Sequence, residues 1–129
     1  TERIRDSREA AQDGDLALSQ KLAEEAVNAM PWGSTPYEQL ALAHEDQGEL
    51  AAAEAEMRNA IENEPTNWRY PLALARIQAE RGKPAAARQT FRRGRRLRPL
   101  SPSYSPFSVY GRAVYTDAQL DRIWRSRHR

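Results

Sequence analysis

The 129-residue chain contains no cysteine, which excludes disulfide bonds and thiolate metal sites and leaves the redox compartment open. Phenylalanine occurs only twice, beside three tryptophans and five tyrosines, too few large rings for a deep aromatic core. No apolar run approaches the ~20 residues that a membrane-spanning helix needs. The chain begins with Thr1 rather than Met. We therefore expect a fragment or processed form, in which a targeting or membrane segment need not be present.

Alanine supplies a large share of the 40% hydrophobic residues. It has the highest intrinsic helix propensity, and its small side chain lets helix backbones approach closely. The composition therefore favours a single, thin, all-α domain of small interdigitating side chains. The abundance of alanine and arginine also indicates a bacterial source.

The net charge of +2 conceals two halves of opposite sign. Residues 1–65 carry five basic and fifteen acidic side chains, a net charge of −10, whereas residues 66–129 carry fifteen basic and three acidic ones, a net charge of +12. Such polarity affects partners and solubility rather than the fold. It predicts self-association in which the acidic half of one molecule meets the basic half of another.

Three sets of small or helix-ending residues recur every 34 positions. The prolines are Pro31, Pro65 and Pro99; the glycines are Gly14, Gly48 and Gly82; the small-residue pairs are Ser19 with Ala26, Ala53 with Ala60, and Ala87 with Gly94. A glycine in the left-handed conformation ends one helix, and a proline stops the next. The spacing predicts six helices, at 2–13, 16–29, 36–47, 50–63, 69–81 and 84–97.

These markers resemble the tetratricopeptide repeat. The second copy matches its consensus at Tyr37, Leu40, Ala41, Gly48, Ala53, Met57, Ala60 and Pro65, and the third at Leu74, Ala75, Gly82, Ala87, Phe91, Gly94 and Pro99. The first copy departs from it, since Asp6-Ser7 replaces Leu-Gly. The resemblance implies a right-handed superhelical solenoid of three helix–turn–helix repeats, at about 1–33, 34–67 and 68–99, closed by a C-terminal capping helix.

The repeat pattern stops after Pro99. Residues 100–115 form a connector rich in Ser, Pro and Tyr, which either packs in extended form or starts a short helix at Ser105-Pro106. Thr116 or Asp117 can cap a helix within residues 116–129, with Leu120, Ile123 and Trp124 on one face. This helix either caps the apolar end of the repeats or is a detachable segment that occupies a groove.

Nothing in the sequence indicates catalysis. His44 lies where the resembled repeat packs an aromatic side chain, and His128 lies in the arginine-rich terminus. Neither histidine has a second ligand at metal-binding spacing, so we expect no metal site. Phosphate-binding loops and nucleophile elbows are absent as well. We expect a chain that is not an enzyme and needs no cofactor.

In the resembled family the first helix of each repeat lines a concave groove that receives a peptide or a partner subunit. The residues of this chain at the matching positions are Arg5, Arg8, Gln39, Leu42, Arg69, Leu72 and Arg76. Arginines among them can grip carboxylates through paired N–H groups. The clamp with which co-chaperone repeats hold a terminal carboxylate is not matched, because the positions for its Lys, Asn and Arg residues carry Ile4, Arg8, Gln39, Arg69 and Ala73 here.

A second surface is basic. Arg88, Arg92, Arg95 and Arg96 follow one another along the sixth predicted helix. They are either a solvated face or a site for an acidic partner or an anionic membrane, while nucleic acid is disfavoured by the acidic half.

Three short sequence segments indicate an alternative function. Residues 29–39, 64–70 and 97–102 look similar to the repeat tails of O-antigen ligase or polymerase-like bacterial membrane proteins. In that case the chain is an appended domain with its arginine-rich face toward the membrane or an acidic partner. The compartment stays open between cytoplasmic and membrane-associated, within a longer bacterial protein.

Overall fold

The computed structural model describes residues 2–128, and this part of the chain folds into α-helices without any strand. The helices are α1 (Glu2–Gln12), α2 (Leu16–Ala29), α3 (Thr35–Asp46), α4 (Leu50–Asn63), α5 (Arg69–Glu80), α6 (Pro84–Leu97), a 3₁₀-helix (Pro102–Tyr104), α7 (Val109–Val114) and α8 (Asp117–Arg127). The six predicted helices are confirmed to within one residue at each end. None of the helices within residues 2–128 combines the length and apolar character needed to cross a bilayer.

The chain divides into two compact units, and the boundary follows Thr66. Unit 1 contains α1 to α4, and unit 2 contains α5 to α8 with the 3₁₀-helix. Each unit is described below by itself.

Unit 1 consists of two helical hairpins. Helix α1 packs against α2, α3 packs against α4, and α2 also packs against α3. Several side chains between them are small: Ala23, Ala41, Ala53 and Ala60 are buried. On α4, Met57 supplies a large buried apolar side chain, and Glu54 is buried as well. Small residues at these places let the helix backbones approach closely, as predicted for the pair Ala53 and Ala60.

A glycine ends the first helix of each hairpin. Gly14, Gly48 and Gly82 have φ angles of +81°, +77° and +74°, values that a residue with a Cβ adopts only at a cost. After α3, the Gly48 N–H donates to the Glu45 carbonyl and the Glu49 N–H donates to the His44 carbonyl. This pair of bonds is a Schellman motif, which satisfies the last carbonyls of the helix.

The starts of α3 and α8 differ in how they are capped. Ser34 is the N-cap residue of α3, but its side chain makes no capping bond and its hydroxyl donates to the Glu64 carboxylate instead. Thr116 caps α8 in full, because its hydroxyl accepts from the Gln119 N–H while the Gln119 side chain accepts from the Thr116 N–H. This reciprocal pair is a capping box.

Unit 2 consists of the α5–α6 hairpin and the segment that follows it. The 3₁₀-helix packs against α6, and α7 packs against both α5 and α6. The connector 100–115 is therefore folded as two short helices, where the sequence left an extended form open. Tyr104 and Val114 from this segment are buried in one cluster with Leu72, Ala75, Ala87 and Phe91.

Helix α8 contributes no buried residue. The sequence placed the capping helix within residues 116–129, but the side chains that cover the end of the α5–α6 hairpin come from residues 102–114. The physical reason is the position of the large apolar side chains, since Tyr104 and Val114 reach the hairpin while Trp124 stays half-exposed on α8.

Candidate functional site

Two of the predicted groove residues are surface arginines on α1. The Arg5 Nε atom lies 3.9 Å from the Asp6 carboxylate, and both side chains are largely exposed. The Arg8 Nε–H donates to the Gln39 Oε1 atom at 3.2 Å, so this guanidinium is held against α3. An exposed ion pair such as Arg5–Asp6 contributes little stability, and Arg5 can exchange its partner at low cost.

Gln39 was predicted to line the groove, and the structure places it inside unit 1, with 4% of its surface exposed. Its Nε2 group donates to the Ser7 hydroxyl at 3.1 Å. The Ser7 hydroxyl donates in turn to the Ser19 carbonyl at 2.7 Å. Gln39 thus joins α3 to α1 and α2 through a buried polar network. Leu42, the remaining predicted residue of this unit, is half-buried on α3.

In unit 2, Arg69 lies at the start of α5 over an aromatic ring. Its Cζ atom is 5.4 Å from the centroid of the Trp68 ring, and the Cζ atom of Arg98 is 5.5 Å from the same centroid. A guanidinium within ~6 Å of an indole is attracted to the ring and loses mobility. Trp68 therefore holds two arginines in place while Arg69 itself stays exposed.

Arg76 lies two turns further along α5. Its Nε atom is 3.8 Å from the Glu80 carboxylate, and both side chains are partly exposed. Leu72, between Arg69 and Arg76 in sequence, is only 6% exposed and belongs to the apolar cluster of unit 2. The structure thus leaves the two α5 arginines at the surface and assigns Leu72 to the core.

The predicted basic patch divides into residues with different roles. The Arg88 guanidinium donates to the Val114 carbonyl at 3.3 Å, which ties α6 to the end of α7. Arg92 lines a cleft together with residues of the α7–α8 segment. Arg95 and Arg96 are exposed in the last turn of α6, where cations interact favourably with the helix dipole.

The two histidines do not form a site with other ligands. The His44 ring is half-buried, and its Nδ1 atom lies 3.4 Å from the Glu49 carboxylate without the geometry of a hydrogen bond. His128 stacks on Trp124, with 4.1 Å between the ring centroids. Across residues 2–128 there is no group of three or more His, Cys, Asp or Glu side chains that could hold a metal ion.

The sequence did not predict the buried position of Tyr104 in unit 2. Its ring packs against Phe91 and Trp68, with centroid distances of 5.2 and 6.3 Å, and its hydroxyl donates to the Trp68 carbonyl. Gly94 faces the phenol, since a Cβ there would lie 2.7 Å from the Tyr104 Cε1 atom. A signal was present in the sequence, because Gly94 replaces the alanine that the repeat pattern expects.

The buried phenol predicts a loss of stability at alkaline pH. Burial raises the pKa of Tyr104 above its usual value of about 10, and a backbone hydrogen bond at Leu72 only partly opposes this effect. Because the pKa is higher in the folded state, the stabilisation is fully present below pH ~10 and is lost as the pH rises further. Urea denaturation at pH 8 to 11 should show this loss in the wild-type chain and a smaller one in Tyr104→Phe. Equal losses of stability in the wild-type chain and in Tyr104→Phe would contradict the assignment of this effect to the Tyr104 hydroxyl.

Comparison with known proteins supports the prediction of tetratricopeptide-like repeats. The model of the tetratricopeptide repeat family matches residues 44–106. The type III secretion chaperone SycD of Yersinia enterocolitica, solved with a peptide of the translocator YopD, is 14% identical, with a TM-score of 0.76 over 98% of this chain and 92% of that one. The TPR2B domain of yeast Sti1, from a pHsp70 complex, is 19% identical, with a TM-score of 0.70 and full coverage of both chains.

A larger protein shares the fold over part of its length. The O-GlcNAc transferase of Thermobaculum terrenum is 21% identical, with a TM-score of 0.68 over 76% of this chain, and this chain spans only 19% of its length. No curated protein sequence matches this chain significantly. The predicted resemblance to the tetratricopeptide repeat and the all-α repeat fold class are thereby confirmed.

Proposed function

We propose that this chain, which carries tetratricopeptide repeats, is a non-catalytic scaffold that binds a peptide segment of a partner protein. The fold is shared with SycD, which was solved with a YopD peptide, and with a Sti1 domain solved in a pHsp70 complex. We propose further that the segment is acidic and that the two surface arginines of α5 hold it.

The observation that carries this proposal is the arrangement of Arg69 on Trp68. Stacking at 5.4 Å restrains the guanidinium before any partner arrives, so less side-chain entropy is lost on binding. The N–H donors of the guanidinium lie in a planar fork that matches a carboxylate. Arg69 is thus a preorganised site for an Asp or Glu side chain.

Arg76 adds a second contact at a defined distance. Seven residues of α-helix separate the two arginines, a rise of about 10 Å. An extended peptide rises ~3.3 Å per residue, so two acidic residues three positions apart match this separation. A peptide carboxylate at Arg76 has to compete with Glu80, 3.8 Å away and partly exposed. The other predicted surface residues, Arg5, Arg8 and Leu42, remain proposed contacts on unit 1.

A library of random heptapeptides tests both the preference for acidic peptides and the role of the two α5 arginines. Selection on the wild-type chain should enrich Asp or Glu at two positions three residues apart. The double variant Arg69→Gln, Arg76→Gln should bind an enriched peptide about 10- to 100-fold more weakly, because each lost charge-assisted bond contributes ~1 kcal/mol or more. Fluorescence anisotropy of the labelled peptide measures this change.

The matched control is Arg93→Gln with Arg96→Gln, which removes the same charge from the exposed face of α6. This variant should bind within about threefold of wild type, and both variants should keep their helicity by circular dichroism. A loss as large as that of the α5 variant would show that capture follows net charge alone, and the α5 site would be rejected.

A further inference from the structure

We infer that a cleft between α6 and α8 in unit 2 binds a phosphate-class dianion. The cleft has a volume of about 230 Å³. Its walls are formed by Arg92, Tyr115, Gln119, Arg122 and Ile123. It is separate from the α5 arginines of the proposed peptide site, so either assignment can fail without the other.

The polar groups of the cleft are mainly hydrogen-bond donors. Arg92 and Arg122 carry guanidiniums, which donate and never accept. The Gln119 Oε1 atom already accepts from the Thr116 N–H, which leaves its amide nitrogen, a donor, for a ligand. The Tyr115 hydroxyl can donate as well. No carboxylate from residues 2–128 lines the cleft, so its chemistry suits an acceptor-rich anion.

The two arginines carry charge that unit 2 does not neutralise. Its acidic side chains are Glu80, Asp117 and Asp121, of which Glu80 lies near Arg76 and Asp121 lies 3.0 Å from Arg125. Arg92 and Arg122 form no ion pair with any residue from 2 to 128. Two like charges at one cleft repel each other, and a bound anion removes that cost.

The backbone around the cleft is held by contacts that do not depend on a ligand. The Tyr115 ring packs edge-on against Phe91 with 5.9 Å between centroids. The Arg88 guanidinium donates to the carbonyl of Val114, the residue before Tyr115. The capping box of Thr116 and Gln119 fixes the first turn of α8.

Charge and shape favour a phosphate over a carboxylate. A phosphate monoester carries up to two charges and three terminal oxygens, enough to accept from both guanidiniums at once, whereas a single carboxylate satisfies one guanidinium fork. Ile123 offers an apolar surface to the carbon atoms beside the phosphate group.

Inorganic phosphate is the probe for the test. Titration at constant ionic strength, set with sodium chloride, should show saturable binding by isothermal calorimetry at pH 8. Arg92→Gln and Arg122→Gln should each weaken the Kd about tenfold or more, because each removes charge-assisted bonds. Both residues are exposed, so neither variant should unfold the chain.

Arg93→Gln is the matched control, since it removes one exposed charge from α6 outside the cleft and should change the Kd less than about twofold. Failure of phosphate to saturate, or an equal loss in Arg93→Gln, would overturn the proposal, because the effect would then belong to the basic surface as a whole. An effect of chloride equal to that of phosphate would overturn it too.

A second arm identifies the source of the phosphate group. Vesicles with 30% phosphatidic acid are compared with neutral phosphatidylcholine vesicles in a flotation assay. Vesicle binding that Arg92→Gln reduces and inorganic phosphate competes away assigns the cleft to a lipid headgroup. Phosphate binding without cleft-dependent vesicle binding assigns it to a soluble phosphate compound.

Discussion

Replacing Tyr104 with alanine is expected to lower the free energy of unfolding of unit 2 by about 3–5 kcal/mol, the range for deletion of a large buried ring. Only 1% of its surface is exposed. The ring closes the apolar cluster against Phe91 and Trp68, and its hydroxyl satisfies the Trp68 carbonyl. The deletion leaves a cavity at the end of the α5–α6 hairpin together with a carbonyl that has lost its partner.

Hydrogen exchange of the α5 and α6 amides measures this loss for unit 2 separately. Tyr110→Ala is the matched control, because the same atoms are removed from a ring that is 38% exposed. This control should cost less than about 1 kcal/mol. Equal losses in the two variants would show that Tyr104 does not hold the segment onto the hairpin.

Gly94 provides a second test of the same contact. Alanine in a helix is normally favoured over glycine by up to ~1 kcal/mol, but the new Cβ would lie 2.5 Å from the Tyr104 Cζ atom. Gly94→Ala should therefore destabilise the wild-type chain by about 1–3 kcal/mol and stabilise the Tyr104→Ala variant. A double-mutant cycle measures this reversal of sign, and additive effects would contradict the contact.

Gly111→Ala is expected to destabilise unit 2 by about 3 kcal/mol, the upper end of the range for overpacking. A Cβ at this position would lie 2.5 Å from the Ser105 carbonyl oxygen and closer still to the Pro106 backbone. Backbone atoms cannot rotate away as a flexible side chain can. Helix α7 must then move off the loop before it, and Ser108, whose hydroxyl accepts from the Gly111 N–H, loses its capping position.

The measurement for Gly111→Ala is the protection of the α7 amides, together with the urea midpoint of the chain. Val109→Ala on the same helix serves as a control, since Val109 is 83% exposed and its truncation should change stability by no more than ~0.5 kcal/mol. Unchanged protection of α7 in Gly111→Ala would mean that the close backbone approach does not matter for docking.

The sequence predicted the six repeat helices because their boundaries depend on local chemistry. Glycine with positive φ at Gly14, Gly48 and Gly82 ends a helix by itself. The first helices end one residue earlier than predicted, since Gln47 and Arg81 are cap residues rather than helical ones. The alanine pairs likewise identified the buried faces, because small residues seven apart lie on one side of a helix.

The candidate sites were less predictable. The family position of Gln39 implied a ligand contact, but its amide is needed inside unit 1, where the Ser7 hydroxyl requires a partner. Leu72 also occupies a position that lines the groove in the family, but in this structure the segment that carries Tyr104 covers it. The cleft of Arg92 and Arg122 joins residues 30 positions apart, outside the 34-residue pattern. No periodic signal connects them.

The sequence alone thus determined the helices, their pairing as hairpins and the opposite charges of the two halves, since each follows from residues close together in the chain. Only the tertiary structure decided which polar residues are buried, how residues 102–114 cover the α5–α6 hairpin, and which arginines lack an acidic partner. Those outcomes depend on contacts between residues distant in sequence, such as Gly94 with Tyr104 and Arg88 with Val114, whose geometry exists only after the helices have packed.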